Sequence, residues 1–121
     1  MDHISIAVSD VARTKSFYEL VLKPLGWVCS GFRAGFYVGF KKPGSPALYF
    51  KASAVVAPAH LAFKAEREEQ VMAFHRAALE AGGTDNGGPG PRPASGAGYY
   101  AAFALDADGH NVEAVLGGVG G

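Results

Sequence analysis

A histidine heads each of two similar stretches of this 121-residue chain: His3 opens HISIAV and His60 opens HLAFKA. In each, apolar residues alternate with small or polar ones, as in a half-buried strand. One histidine at a strand start is ordinarily structural or solvated. Two in matching positions of a repeated pattern suggest a duplicated design. The steps from His3 to Phe17, Leu22 and Gly26 equal those from His60 to Phe74, Leu79 and Gly83, a constant offset of 57. Glu113 stands in HNVEAVL, where Val112, Ala114 and Leu116 suit a helix-packed face and leave the glutamate on the other, concave one. A carboxylate there is costly unless it is paired or bound to a cation. Two imidazoles and a carboxylate with open coordination positions are the ligand set of a divalent metal that also holds a substrate. His3, His60 and Glu113 are therefore the expected metal ligands.

The elements that must position them follow from periodicity and punctuation. Residues 3–8 alternate, Ser9 or Asp10 offers an N-cap, and 11–22 has helical spacing with Phe17, Leu20 and Val21 as the apolar stripe. Pro24 and Gly26 end it. Strand-like runs follow at 27–32, 35–40 and 47–52, separated by turn residues. After the short link AVVAPA (54–59) the order begins again. A strand covers 60–65, and a helix begins with Glu66, Glu68 and Glu69 in its first turn and carries Val71, Phe74, Ala78 and Leu79 on its buried stripe. His75 reads as a residue of that helix's surface. Strands at 99–105 and 110–116 flank the turn DADG. The glycine- and proline-rich segment 82–98 is too long for a plain hairpin and is expected to border or cover the cleft. The fold class is α+β: one domain of two tandem βαβββ modules, about 1–55 and 56–121, forming a cupped mixed sheet, with a flexible Gly-rich tail at 117–121.

Bulk composition excludes several roles. Eleven acids balance eleven bases, so nothing drives binding to a phosphate backbone, and no nucleic-acid partner is expected. No apolar run is long enough to cross a bilayer, and the N-terminus enters a strand pattern directly, so a cytoplasmic location without membrane attachment is expected. The single cysteine, Cys29, excludes an internal disulfide framework and reads as a small buried side chain.

The paired βαβββ layout, DHISIAVSD followed by SFYELVLKPLGW, then HLAF, and the ending LDADGHNVEAV resemble the vicinal oxygen chelate superfamily. That superfamily comprises glyoxalase I, extradiol dioxygenases, fosfomycin-resistance thiol transferases and bleomycin-resistance proteins. The resemblance spans almost the whole chain. It implies that His3, His60 and Glu113 are the metal-ligand positions, and sliding the second module's ending onto the first puts Tyr49, with Phe50 as the alternative, at a fourth position on the last strand of the first module. Glyoxalase I has a glutamate at that fourth position. This chain has no acid between Glu19 and Glu66, so typical glyoxalase I activity is not expected. Tyr49, His110 and Tyr100 are the candidate proton-transfer groups. Arg92, Tyr99 and Phe103 are candidate substrate contacts, Arg92 as an anchor for an anionic group.

The resemblance implies Lewis-acid chemistry on a small substrate that presents two adjacent oxygens. The first expectation is a lyase, isomerase or dioxygenase using manganese, iron, nickel, zinc or magnesium. The alternative is a metal-free small-molecule-binding protein of the bleomycin-resistance kind, and the third is a fosfomycin-type thiol transferase. The leading two imply a homodimer, with modules paired either within one chain or across two.

Overall fold

The computed structural model describes residues 1–117, so the expected flexible tail lies, apart from Gly117, outside the described residues. The chain runs β1 (His3–Val8), α1 (Val11–Leu22), a 3-10 turn (Lys23–Leu25), β2 (Val28–Arg33), β3 (Tyr37–Lys41) and β4 (Ala47–Ala52). It continues with β5 (His60–Ala65), α2 (Glu68–Glu80), β6 (Thr84–Asp85), β7 (Gly90–Pro91), a second 3-10 turn (Pro93–Ser95), β8 (Tyr100–Leu105) and β9 (Asn111–Leu116). No helix among the described residues is long and apolar enough to cross a membrane.

Local chemistry accounts for the helix ends. Asp10, extended at φ −140°, accepts the Arg13 amide at 3.0 Å and so caps α1. Pro24 converts the end of α1 into a 3-10 turn, and Gly26 closes it at φ +87°, where a side chain would be strained. At the head of α2, Gln70 Oε1 accepts the Glu66 amide at 2.7 Å, while Glu68 and Glu69 occupy the first turn. Val11, Thr14, Phe17, Tyr18, Val21 and Leu22 form the buried face of α1. Leu20 was expected in that stripe but is 54% exposed, because the core stripe runs through Tyr18 and Leu22 and turns residue 20 outward. Leu79 of α2 is likewise exposed, whereas His75, expected on the helix surface, is buried and bonded to Asp85 at 2.9 Å.

Each module builds one mixed sheet. In the first the order is β1-β4-β3-β2, with β1 parallel to β4 and the other pairs antiparallel. In the second, β5 lies parallel to β9, β9 pairs antiparallel with β8, and β6 and β7 both pair with β8. The 82–98 segment is thus partly a split strand: two short ladders on either side of Asn86–Pro89, with Phe103 of β8 still accepting the Asn86 amide at 3.0 Å and donating its own amide to the Gly87 carbonyl at 2.8 Å. The helices cover one face of the sheets. Val8, Val38, Phe40, Leu48 and Phe50 fill the core of the first module; Phe74, Ala102, Ala104, Val112 and Ala114 fill that of the second.

The modules meet at a polar joint. Tyr18, fully buried, donates to Asp106 Oδ2 at 2.6 Å. Burial, reinforced by the adjacent Asp106 carboxylate, raises the Tyr18 phenol well above its ordinary pKa. Asp108 accepts the Ser9 hydroxyl at 2.6 Å and the Ser9 amide at 3.1 Å. His110, with no exposed surface, accepts the Ala59 amide at Nδ1 (2.9 Å) and donates from Nε2 to the Ala7 carbonyl (2.8 Å). One ring thereby ties β1, the inter-module link and the start of β9.

Candidate functional site

Strand register brings two of the expected ligands together. Across β5 and β9, Ala62 is opposite Glu113 and His60 is opposite Asn111, so His60 and Glu113 are diagonal neighbours on the face turned away from α2. His60 Nε2 and Glu113 Oε1 are 2.7 Å apart. The Glu113 side chain is only 13% exposed, and His60 is its hydrogen-bond partner among the described residues. Phe103 lies opposite Glu113 on β8, and its ring centroid is 6.3 Å from that of His60. An imidazole nitrogen and a largely dehydrated carboxylate facing one another fit the donor set of a borderline divalent cation.

The first module repeats the geometry with different chemistry. Ser5 is opposite Tyr49 and His3 opposite Ala47, the same registers as Ala62–Glu113 and His60–Asn111. Tyr49 therefore occupies the position that matches Glu113. Its ring meets that of His3 edge-on at 5.8 Å. His3 Nδ1 pairs with Asp2 Oδ1 at 2.7 Å, which leaves Nε2 free to bind. Within one chain His3 does not join His60 and Glu113. Among the described residues no group of three or more His, Cys, Asp or Glu side chains is arranged to hold a metal ion.

The remaining candidates separate by face. His110 is sealed in the joint, where backbone groups occupy both nitrogens, so its ring offers nothing to a bound substrate. Tyr100 packs against the core on the same face as Ala102 and Ala104. Tyr99 lies at the base of the loop, over Gly96, and its carbonyl accepts the Arg92 amide at 2.8 Å. Arg92 donates to the carbonyls of Gly88 (2.6 Å) and Pro91 (3.1 Å), and its guanidinium stands 5.5 Å from the Phe103 ring centroid. Segment 86–92 thus borders the face that carries His60 and Glu113. Asp85 anchors the base of this segment. The Gly87 amide and then His75 hold its carboxyl below the usual range.

Sequence reasoning passed over Tyr37, Lys51 and Asn111. Tyr37 and Lys51 line one cleft with His3 and Tyr49, and Asn111 Oδ1 accepts from Asn86 Nδ2 at 3.1 Å. Alternation within β3 and β4 carried the signal for the first two; the face they share follows only from the register.

No protein-family model and no curated protein matches the sequence. Solved structures do. A glyoxalase/bleomycin resistance protein from Albidiferax ferrireducens T118 superposes with a TM-score of 0.83 at 28% identity, over 97% of this chain and 98% of that one. The chain has the glyoxalase/bleomycin-resistance/dioxygenase fold. A possible glyoxalase from Bacillus cereus is 25% identical, with a TM-score of 0.69 over 94% of this chain and 96% of that one. A lactoylglutathione lyase from Agrobacterium tumefaciens shares the fold at 18% identity, TM-score 0.73, over 97% of this chain and 92% of that one. These neighbours are consistent with the vicinal oxygen chelate superfamily.

Proposed function

We propose that this glyoxalase-fold protein is a divalent-metal-dependent lyase, isomerase or dioxygenase acting on a small substrate through two adjacent oxygens. His3, His60 and Glu113 hold the metal, and a homodimer completes the site. The observation that carries the reading is the His60–Glu113 pair: a carboxylate 13% exposed, on the face away from the helices, with an imidazole 2.7 Å away. A carboxylate so placed is costly unless it is paired or bound to a cation, and a single imidazole is the one partner it has among the described residues.

Dimerisation supplies the third ligand. Among the described residues β1 and β5 are edge strands of separate sheets, each with an unpaired side. Ile4 on β1 is 40% exposed, and an apolar groove containing Ile4, Trp27, Leu48, Leu61 and Phe63 opens between the two edges. A second copy pairing β1 with β5 covers these edges and brings His3 of one chain to His60 and Glu113 of the other.

When bound, the metal supplies Lewis-acid stabilisation of negative charge on the substrate oxygens. The chain's own residues orient the reaction. Asp2 fixes the His3 tautomer, Phe103 and the 86–92 segment exclude water from one side, and the Tyr49 hydroxyl, on the register equivalent of Glu113, is placed to hold or pass a proton.

The test is metal content by plasma mass spectrometry on untagged protein, beside a His3→Ala/His60→Ala double variant. We expect about one ion per chain in the parent and none in the variant. No uptake by the parent after incubation with manganese, iron, nickel or zinc overturns the reading. One observation favours the metal-free binding alternative: His60 and Glu113 already satisfy one another directly. That alternative predicts ligand binding indifferent to chelator.

A further inference from the structure

We propose that the exposed face of the first sheet binds a planar aromatic acid. This deepens the reading above and rests on it in one respect, that this face is a wall of the substrate cleft.

Register sets the surface out in two rows. Arg33 is opposite Tyr37, and Tyr37 is opposite Lys51, so a phenol ring stands between two cations across β2, β3 and β4. The next row is Gly31, Gly39 and Tyr49. A Cβ on Gly31 would lie 3.0 Å from the Tyr37 hydroxyl, and one on Gly39 would lie 2.8 Å from the Tyr49 ring. The two rings therefore lie over bare backbone rather than standing off the sheet, with centroids 6.1 Å apart. Glycine at both positions, in the middle of strands it otherwise weakens, is accounted for by this close approach.

Charge selects the ligand. Among the described residues no carboxylate pairs with Arg33 or Lys51. The one acid lining this cleft, Asp2, is engaged by His3. Arg33 is held at the margin by stacking on Phe36, 4.3 Å from the ring centroid. An aromatic ring gains edge-to-face or offset contact on Tyr37 and Tyr49, and its carboxylate gains a charge-assisted hydrogen bond from Lys51. An aromatic cation would meet the like charge of Lys51 inside the cleft, with Arg33 at its margin. The cleft, about 460 Å³, holds a bicyclic acid.

The experiment is calorimetric titration with 2-naphthoate, run in chelator and repeated on metal-incubated protein whose metal content is measured. 2-Naphthylmethanol and cyclohexanecarboxylate serve as comparators, and the Gly31 and Gly39 amides are followed by heteronuclear NMR. We expect naphthoate to bind about tenfold more tightly than either comparator, to shift both glycine amides, and to lose that advantage in Lys51→Ala and Tyr37→Leu. Equal affinity for acid and alcohol, shifts confined to the second sheet, or variants that bind naphthoate as the parent does would overturn the inference. If either variant does not fold, the three-ligand comparison on the parent protein decides. Metal uptake without naphthoate binding sinks this inference alone. Naphthoate binding through Tyr37 and Lys51 in protein that takes up no metal sinks the metal reading alone.

Discussion

Glu113 and Asp108 are both largely buried carboxylates near the end of the chain, and their partners divide their roles. Among the described residues Glu113 has one imidazole partner, on the sheet face turned away from α2. Asp108 is enclosed by structural donors: the Ser9 hydroxyl and amide, with Arg13 Nη2 at 3.7 Å. Burial pushes the Asp108 carboxyl up, but the two Ser9 bonds and the Arg13 charge outweigh it, so its pKa is lowered. A folded-state value below the unfolded one means the stabilisation is fully present above the unfolded pKa, about 3.9. It is lost as pH falls through the lower folded value. Urea unfolding midpoints measured from neutral to acid pH should therefore be level near neutrality and decline below about pH 4. Asp108→Asn should be less stable at neutral pH and show a shallower acid decline. An acid limb parallel to that of the parent would show that other carboxylates govern it. Asp85, lowered chiefly by the Gly87 amide, adds little because it is exposed.

At the scale of elements, the joint around His110 decides whether the modules hold their mutual position. Replacing His110 by Phe retains a buried ring but orphans the Ala59 amide and the Ala7 carbonyl. Each unsatisfied buried group costs about 1–3 kcal/mol, so a lowered thermal midpoint and faster exchange of the Ala59 amide are expected. Unchanged exchange at Ala59 would mean that the link is held by other contacts. This joint also marks where the sequence stopped being legible. The repeat of 57 residues, the strands and both helices were readable because period and punctuation are local signals. Sliding one module's ending onto the other narrowed the fourth position to Tyr49 or Phe50, and the matching registers of the two β-ladders decide for Tyr49, Phe50 being buried in the core. The role of His110 was not readable. Its partners, Ala7 and Ala59, lie 103 and 51 residues away, and a histidine after a glycine turn carries no mark of burial. The same holds for His75, whose partner Asp85 sits beyond the end of its own helix. In 82–98, glycine and proline announced a loop, yet backbone groups on β8 still recruited two short ladders from it, a long-range demand that no local pattern displays.

For the whole molecule the question is how the three proposed ligands, carried by two sheets, would become one site. In a single chain His60 and Glu113 meet while His3 pairs with Asp2, and the strands bearing the two histidines are edges of different sheets. The proposed two-fold dimer, joining β1 of one copy to β5 of the other, would have two cups, each drawing His3 from one copy and His60 with Glu113 from its partner. This arrangement makes a prediction that pairing within a chain does not share. His3→Ala and Glu113→Ala each disable both cups of their own homodimer. Unfolded together and refolded in equal amounts, they give heterodimers for about half of all dimers, and each heterodimer has one intact cup and one doubly damaged one. Metal content, and any activity that depends on it, should recover to about a quarter of the parent value in the mixture, while either variant refolded alone stays near zero. Recovery should follow the heterodimer fraction as the mixing ratio is varied and be greatest at equal proportions. Were the cups formed within single chains, every cup in the mixture would still lack a ligand, and co-refolding would restore nothing at any ratio.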